Sequence, residues 1–261
     1  MIAVLVAVVG LALQRTADEG TRTTPLTSHC AIPGSDLALT TEQTANAATI
    51  AAVARSRGLP PRATVIALAT AQQESRLRNI DYGDRDSLGL FQQRPSQGWG
   101  SPEQVQDPVY AAGKFFDGLV KVSGWESGRL TEVAQAVQRS GFPEAYQQWE
   151  AMANTLAGAL LTDSPGALSC AFDPAADAAP AGERVAVVAE AVRREAGTPT
   201  VDPAGVIAVE GARWPDATWA VAHAERFQLS RVELDGWRWT PSAGWEATPS
   251  AFALPLTLRL G

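Results

Sequence analysis

Apolar residues recur with the period of an α-helix through residues 40–161, and no strand-like alternation occurs there. The letters TTEQ at 40–43 form a capping box that starts a first helix, and Pro60-Pro61 opens a second helix that ends near Ser75. Further helices are predicted at 107–121, 131–139 and 143–161. This part of the chain is therefore predicted to be all-α.

The C-terminal part mixes helical and strand periods. Helices are predicted at 183–196 and 216–227, and a short apolar run of strand type lies at 206–209. Asp235-Gly236 indicates a hairpin turn, and a nine-residue stretch alternates from Phe252 to Leu260, with Pro255 indicating an edge strand. We therefore predict an α+β fold overall, in which an all-α domain is followed by a small α+β module.

Composition divides the chain into a leader, two linkers at 14–39 and 163–181, a helical domain at 40–162 and a module at 182–261. Residues 1–13 are an unbroken apolar run, which suits a signal peptide and is shorter than the ~20 residues of a membrane span. No basic residue precedes the run, which we attribute to a start codon assigned too late. We expect an exported protein of the cell envelope or extracellular space, anchored in the membrane if the leader is uncleaved. A buried N-terminal strand is the alternative.

Charge and cysteine content narrow the possible functions. The 261 residues include 21 basic and 28 acidic ones, for a net charge of −7, which argues against nucleic-acid binding. Two Cys and two His are too few for a Cys/His zinc cluster, and no metal or organic cofactor is implied. Cys30 and Cys170 flank the helical block, so a disulfide would join its two ends. Two unrelated buried thiols are the alternative.

Glu74 is the first candidate for chemistry. It continues one face of the second predicted helix, formed by Ala63, Ile66, Ala67, Thr70 and Ala71. A carboxylate that ends a mostly apolar face near a helix C-terminus has its pKa raised by burial and by the helix dipole. A carboxyl group that is protonated at neutral pH can serve as a general acid. A solvated Glu rolled off this face is the alternative.

Two motifs frame a loop after this helix. Glu74-Ser75 is followed by Gly83-Asp84-Arg85 and then by Gly89-Leu90-Phe91-Gln92. Over residues 45–161 this arrangement resembles the lysozyme-like superfamily, namely the catalytic domains of lytic transglycosylases and goose-type lysozymes. The resemblance implies cleavage of the β-1,4 MurNAc–GlcNAc bond in peptidoglycan glycan strands, with Glu74 as general acid. A transglycosylase then uses the same group as base to form a 1,6-anhydro product.

A goose-type enzyme instead inverts the anomeric centre with a water held by an aspartate. The resemblance makes Asp84 the candidate for that role and Asp86 the reserve, although either residue could simply cap the loop. This chain has Arg94 where the goose-type pattern has another Asp, which favours transglycosylation. It has Val137 where transglycosylases have a Tyr that contacts the catalytic Glu, and Tyr146 is the candidate replacement. A lysozyme-like protein that binds glycan or assembles envelope machinery without turnover is the alternative.

The substrate contacts expected from the resemblance lie in and around the loop. Gly89 would let the backbone approach a sugar, and the amides of Gln92 and Gln93 would bind hydroxyl and N-acetyl groups. Trp99 is a candidate for sugar stacking or for packing under the loop. The full set of expected substrate-binding residues is Ser75, Gly89, Gln92, Gln93, Trp99 and Tyr146. The five C-terminal Trp are interpreted as core rather than as a glycan platform, and His223 as structural.

Overall fold

The computed structural model describes residues 28–175, 178–249 and 255–261. The first half is helical, as the sequence predicts, apart from three short strands. Its helices are α1 (Thr41–Ser56), α2 (Pro61–Ser75), α3 (Pro102–Val105), α4 (Pro108–Leu119), α5 (Leu130–Gln138) and α6 (Glu150–Leu161). Short 3₁₀ helices lie at Pro95–Gln97 and Gln147–Trp149. The last helix therefore begins later than predicted, because the chain from 143 to 149 turns around Tyr146 first.

The second half combines helices with an antiparallel sheet, and the α+β prediction is confirmed. Its helices are α7 (Ala181–Glu195), α8 (Trp214–Ala222) and α9 (Ala224–Phe227). The strands of the whole chain are β1 (His29–Ala31), β2 (Ala38–Leu39), β3 (Ser169–Ala171), β4 (Pro199–Val201), β5 (Ile207–Val209), β6 (Leu229–Leu234), β7 (Trp237–Thr240), β8 (Gly244–Ala247) and β9 (Leu256–Leu260).

Local sequence signals account for the helix starts that frame the site. The Thr40 hydroxyl accepts the Gln43 backbone N–H, and the Gln43 side chain accepts the Thr40 N–H in return, which completes the predicted capping box of α1. Helix α2 starts at Pro61, whose missing N–H costs nothing in a first turn. Both helix starts agree with the sequence prediction.

A small sheet in the order β2-β1-β3 joins the two ends of the helical block. Cys30 of β1 lies opposite Cys170 of β3, and the two form a disulfide with a Cα–Cα distance of 3.9 Å. The predicted disulfide is therefore confirmed. The three strands lie in the segments predicted as linkers, so those segments contain paired backbone that sequence pattern alone did not reveal.

The larger sheet has the order β4-β5-β9-β6-β7-β8, with all neighbours antiparallel. The prediction of an edge strand at the C-terminus is wrong, because β9 lies between β5 and β6. Pro255 precedes the first strand residue, Leu256, and so removes no hydrogen bond from the ladder. Phe252 and Leu254 of the predicted alternation lie outside the described residues, as does the predicted leader at 1–13.

The helices of the first half and the sheet module pack around a continuous hydrophobic core. Helix α1 lies against α8, where Thr49 hydrogen-bonds His223 and Arg55 pairs with Asp216. His223 is 1% exposed, in keeping with a structural role. The C-terminal tryptophans pack in or against this core, as interpreted from the sequence; they are Trp214, Trp219, Trp237, Trp239 and Trp245.

Within residues 28–175, 178–249 and 255–261, no helix combines the length and the apolar character that a bilayer span requires.

Candidate functional site

Glu74 lies in the last turn of α2, where the predicted apolar face is fully buried. The helix ends immediately after it, with Arg76 and Leu77 both in the left-handed region at φ of 56° and 58°. This abrupt turn directs the chain away from the helix and into the loop that carries the second motif. The Ser75 hydroxyl donates to the Leu90 carbonyl at 2.8 Å, so a side chain of the first motif holds the backbone of the second.

The Glu74 carboxyl is half-buried and receives a hydrogen bond from the Tyr146 hydroxyl at 2.6 Å. Burial raises the pKa of Glu74, while the hydrogen bonds from Tyr146 and Gln138 lower it in part. Burial and the neighbouring carboxyl also raise the pKa of Tyr146, which keeps its proton available for donation. No charged group contributes to the shift of Glu74 within the described part of the chain.

Tyr146 therefore supplies a hydroxyl to Glu74, although Val137 stands in the position that the resemblance compares with the family tyrosine. Tyr146 itself is fully buried between α2 and the start of α6, so it contacts the carboxyl rather than an open surface. Val137 is also buried and packs against Gly118 of α4.

The loop motif is anchored by its apolar residues. Phe91 is fully buried and stacks on Phe115 of α4, with ring centroids 4.8 Å apart. Gly89 has φ of 75°, and a Cβ at this position would lie 2.3 Å from the Val105 carbonyl oxygen. Gly89 is thus required for close packing against α3 and does not face open space. Leu88 and Gln93 pair through their backbones to close the loop.

The two glutamines of the motif have different surroundings. Gln92 is half-buried at φ of 48° and lines an open groove, so its amide lies near solvent. Gln93 is 2% exposed and donates its amide N–H to the Ala111 carbonyl. The structure therefore brings Gln92, but not Gln93, to the surface where a ligand could bind.

This groove has a volume of about 540 Å³; Glu74 is not among its lining residues, and Gln138, which is hydrogen-bonded to Glu74, connects the two. We call it the loop groove; it is lined by Gln92, Arg94, Gln97, Trp99, Gly118, Lys121, Val122, Ala136, Val137, Gln138 and Arg139. Three of these residues are cations and none is a carboxylate, in a chain whose net charge is −7. Trp99, partly buried in this wall, packs on the core and also presents an aromatic ring to the groove.

Gln138 joins the groove to Glu74. Gln138 is one of the groove's lining residues, and its amide donates to the Phe91 carbonyl at 2.8 Å. A hydrogen bond from the same side chain lowers the pKa of the Glu74 carboxyl in part. Sequence analysis did not single out Gln138, Lys121 or Arg139. The sequence does not mark these residues as functional, because polar residues at helix ends are ordinarily solvated. Only the packing of α5 against the loop brings them together.

The two aspartates of the loop lie in different environments. The side chain of Asp84 is 88% exposed and its nearest cation is Arg85, at 3.9 Å. Asp86 accepts hydrogen bonds from Ser96 and from Arg94, which together hold its pKa well below the usual range. Arg94, which stands where the goose-type pattern has an Asp, therefore forms an ion pair with Asp86. Neither aspartate is among the groups that contact Glu74 in the described residues.

Comparisons of the chain with models of known protein families and with curated proteins give no match.

Proposed function

We propose that this protein is an exported peptidoglycan-cleaving enzyme of the lytic transglycosylase type, acting on the β-1,4 MurNAc–GlcNAc bond through Glu74. One observation carries the proposal: a half-buried carboxyl with a raised pKa receives a 2.6 Å hydrogen bond from Tyr146, and Gln138 connects that carboxyl to an open groove. The first motif and the loop motif, which resemble those of lytic transglycosylases, are also joined through Ser75 and Leu90.

The environment of Glu74 suits a group that must first give and then take a proton. Burial raises the pKa of the carboxyl and so favours the protonated form, which can protonate the glycosidic oxygen as the C1–O bond breaks. The Tyr146 hydrogen bond stabilises the carboxylate that remains. That carboxylate then removes the proton of the muramyl 6-hydroxyl as its oxygen bonds to C1, which forms the anhydro ring and restores the protonated acid.

The loop groove supports the proposed substrate class. Amides of Gln92 and Gln97 can exchange hydrogen bonds with hydroxyl and N-acetyl groups, and Trp99 offers a flat apolar face for a sugar ring. Arg94 is ion-paired with Asp86, but Lys121 and Arg139 form no ion pair among the described residues and favour an anionic strand, and peptidoglycan carries carboxylates on its peptide stems.

The environments of the aspartates favour the anhydro route over water attack. A water-holding carboxylate acts from the opposite face of the sugar, about 6.5–9.5 Å from the acid. Asp86 is held by Arg94 and Ser96, and Asp84 extends into solvent. A single carboxyl that uses the substrate's own hydroxyl needs neither of them.

The test is digestion of purified peptidoglycan sacculi by the full chain, followed by mass spectrometry of the soluble products. Anhydromuramyl ends are expected. Reducing ends would replace the transglycosylase reaction with hydrolysis by an inverting muramidase. Binding to sacculi without any new product, across a range of pH, would favour the non-catalytic alternative and overturn the proposal.

A further inference from the structure

Two arginines face each other on the outer side of the large sheet. Arg231 of β6 and Arg259 of β9 are directly opposite partners in the antiparallel ladder. Like charges in this position repel each other, because opposite side chains of paired strands are only about 5 Å apart at Cβ. The fold thus places two cations together at a cost in stability.

No carboxylate compensates this arginine pair within the described residues. Glu233, the acidic neighbour on the same face, forms an ion pair with Arg238 and also accepts the Thr257 hydroxyl. Neither Arg231 nor Arg259 takes part in an ion pair in that part of the chain. Among the described residues these two guanidinium groups on neighbouring strands therefore have no carboxylate partner and are available to an external anion.

Both arginines line a cavity of about 450 Å³, which we call the sheet cavity. Its other walls are the first turn of α7, the turn between β4 and β5, and the ends of β6 and β9; they comprise Ala181, Gly182, Val185, Asp202, Pro203, Ala204, Gly205, Val206, Ser230 and Leu260. Cavities of this size bind small organic ligands in other proteins. Apart from the arginines, Asp202 and Ser230, the lining consists of small and apolar residues.

Asp202 is the single carboxylate in the lining. Its Oδ1 accepts the backbone N–H groups of Ala204 and Val206, each at 2.9 Å, so that oxygen is committed to the turn. Two arginines and one aspartate leave the lining with one net positive charge. This balance favours a monoanion over a phosphate dianion.

We propose that the sheet cavity binds a carboxylate carried by a small apolar group, such as the free C-terminus of a short peptide with small side chains. The guanidinium groups would hold the carboxylate oxygens, with the charge-assisted geometry that arginine offers. The small apolar residues around Val185, Pro203 and Val206 would contact the adjoining side chain. This site is separate from the Glu74 site and does not depend on its activity.

The test is titration calorimetry of the full chain with N-acetyl-Ala-Ala, its C-terminal amide and inorganic phosphate. The free carboxylate is expected to bind, with an affinity that falls as salt rises, and the amide to bind at least about tenfold more weakly. Failure of N-acetyl-Ala-Ala to bind, equal binding of the amide, or stronger binding of phosphate would each overturn the proposal.

Variants then locate the site. Arg231→Gln and Arg259→Gln should each weaken binding of N-acetyl-Ala-Ala by about 10- to 100-fold, because each removes a charge-assisted contact. Each should also raise the melting temperature of the free protein, since the repulsion between the arginines is removed. Arg193→Gln, on the exposed part of α7 and outside the cavity, is the matched control for lost charge. Unchanged binding in both cavity variants would contradict the assignment.

Discussion

At the residue scale, Glu74 combines two opposing influences on one carboxyl group. Burial at the end of α2 favours the protonated form, and the Tyr146 hydroxyl favours the ionised form. A group that acts first as an acid and then as a base benefits from both influences, because neither its protonated nor its ionised form is strongly favoured over the other. Tyr146 is thus a positioning residue, which acts on the reaction through Glu74.

Tyr146→Phe should lower the turnover number by about tenfold, because one hydrogen bond to the reacting carboxylate is lost. It should also raise the pKa of Glu74, since burial then acts with less opposition. The alkaline limb of the pH–rate profile, where the general acid loses its proton, would move to higher pH. Tyr82→Phe, at a tyrosine that is 67% exposed, is the control. An unchanged pH profile in Tyr146→Phe would show that the hydroxyl does not influence the reacting group.

At the scale of elements, the site depends on how the loop is held between helices α2, α3 and α4. Ser75 fastens the loop to α2, and Phe91 fastens it to α4 through Phe115. Gly89 brings it within contact distance of the Val105 carbonyl in α3. The order of the motifs in the sequence predicts these elements, and the contacts between them give the loop its fixed position beside Glu74.

Gly89→Ala should destabilise the protein by about 2–5 kcal/mol, from the left-handed backbone and from the clash with the Val105 carbonyl. Gly124→Ala is the matched control, because Gly124 has φ of 69° and open space around its Cβ position. That control should lose only about 1–2 kcal/mol. Urea denaturation measures both variants. Equal losses would mean that the loop relaxes away from Val105 without cost.

The disulfide belongs to the same scale, because it joins β1 to β3 across 140 residues. Replacing Cys30 and Cys170 together by Ser should lower the free energy of unfolding by about 3–5 kcal/mol, as expected for a loop of this length. Thermal melts with and without reductant measure the effect. The melting temperature of the double variant should not respond to reductant, and the wild type should fall to a similar value. A wild-type melt that is insensitive to complete reduction would contradict this prediction.

Some elements of the fold can be predicted from local sequence signals, and others cannot. The capping box at 40–43 and Pro61 are local signals, so the starts of α1 and α2 could be predicted. Strands β1 to β3 have only two or three residues each, and β1 pairs with β3 across 140 positions, which no local pattern encodes. Glu74 could be found by its helix face, but the cations of the loop groove come from separate elements. Their convergence depends on tertiary packing.

At the scale of the whole molecule, a buried polar network connects α1 to the sheet module. His223 is hydrogen-bonded to Thr49 and to the Trp219 carbonyl, and its pKa is lowered to about 3 by burial and by nearby Arg226. Glu195 receives a hydrogen bond from the indole of Trp219, and burial raises its pKa. The two groups make opposite contributions to the pH dependence of stability.

His223 should make the fold sensitive to acid. In the unfolded chain the His223 imidazole is protonated with the usual pKa of 6.5, but in the folded protein its pKa is lowered to about 3. The stabilisation is therefore complete above pH 6.5 and is lost as pH falls, by up to about 1.4 kcal/mol per pH unit. Glu195 acts in reverse: its raised pKa favours the fold at low pH, and that contribution is lost as pH rises.

Comparison of wild type with His223→Gln isolates the histidine. Between pH 7 and pH 4 the wild type should lose more stability than the variant, as measured by urea unfolding at each pH. Parallel losses in wild type and His223→Gln would show that another group sets the acid response.

The central claim, that Glu74 carries out the chemistry, is tested most directly by comparing Glu74→Gln with Glu126→Gln on purified sacculi. Both variants lose one carboxylate, but Glu126 is an exposed residue in the turn before α5. Glu74→Gln should release anhydromuropeptides at least about 10²–10⁴-fold more slowly while keeping its melting temperature, because an amide cannot carry the proton. Glu126→Gln and Asp84→Asn should remain close to wild type. Release of these products by Glu74→Gln at the wild-type rate would contradict the account.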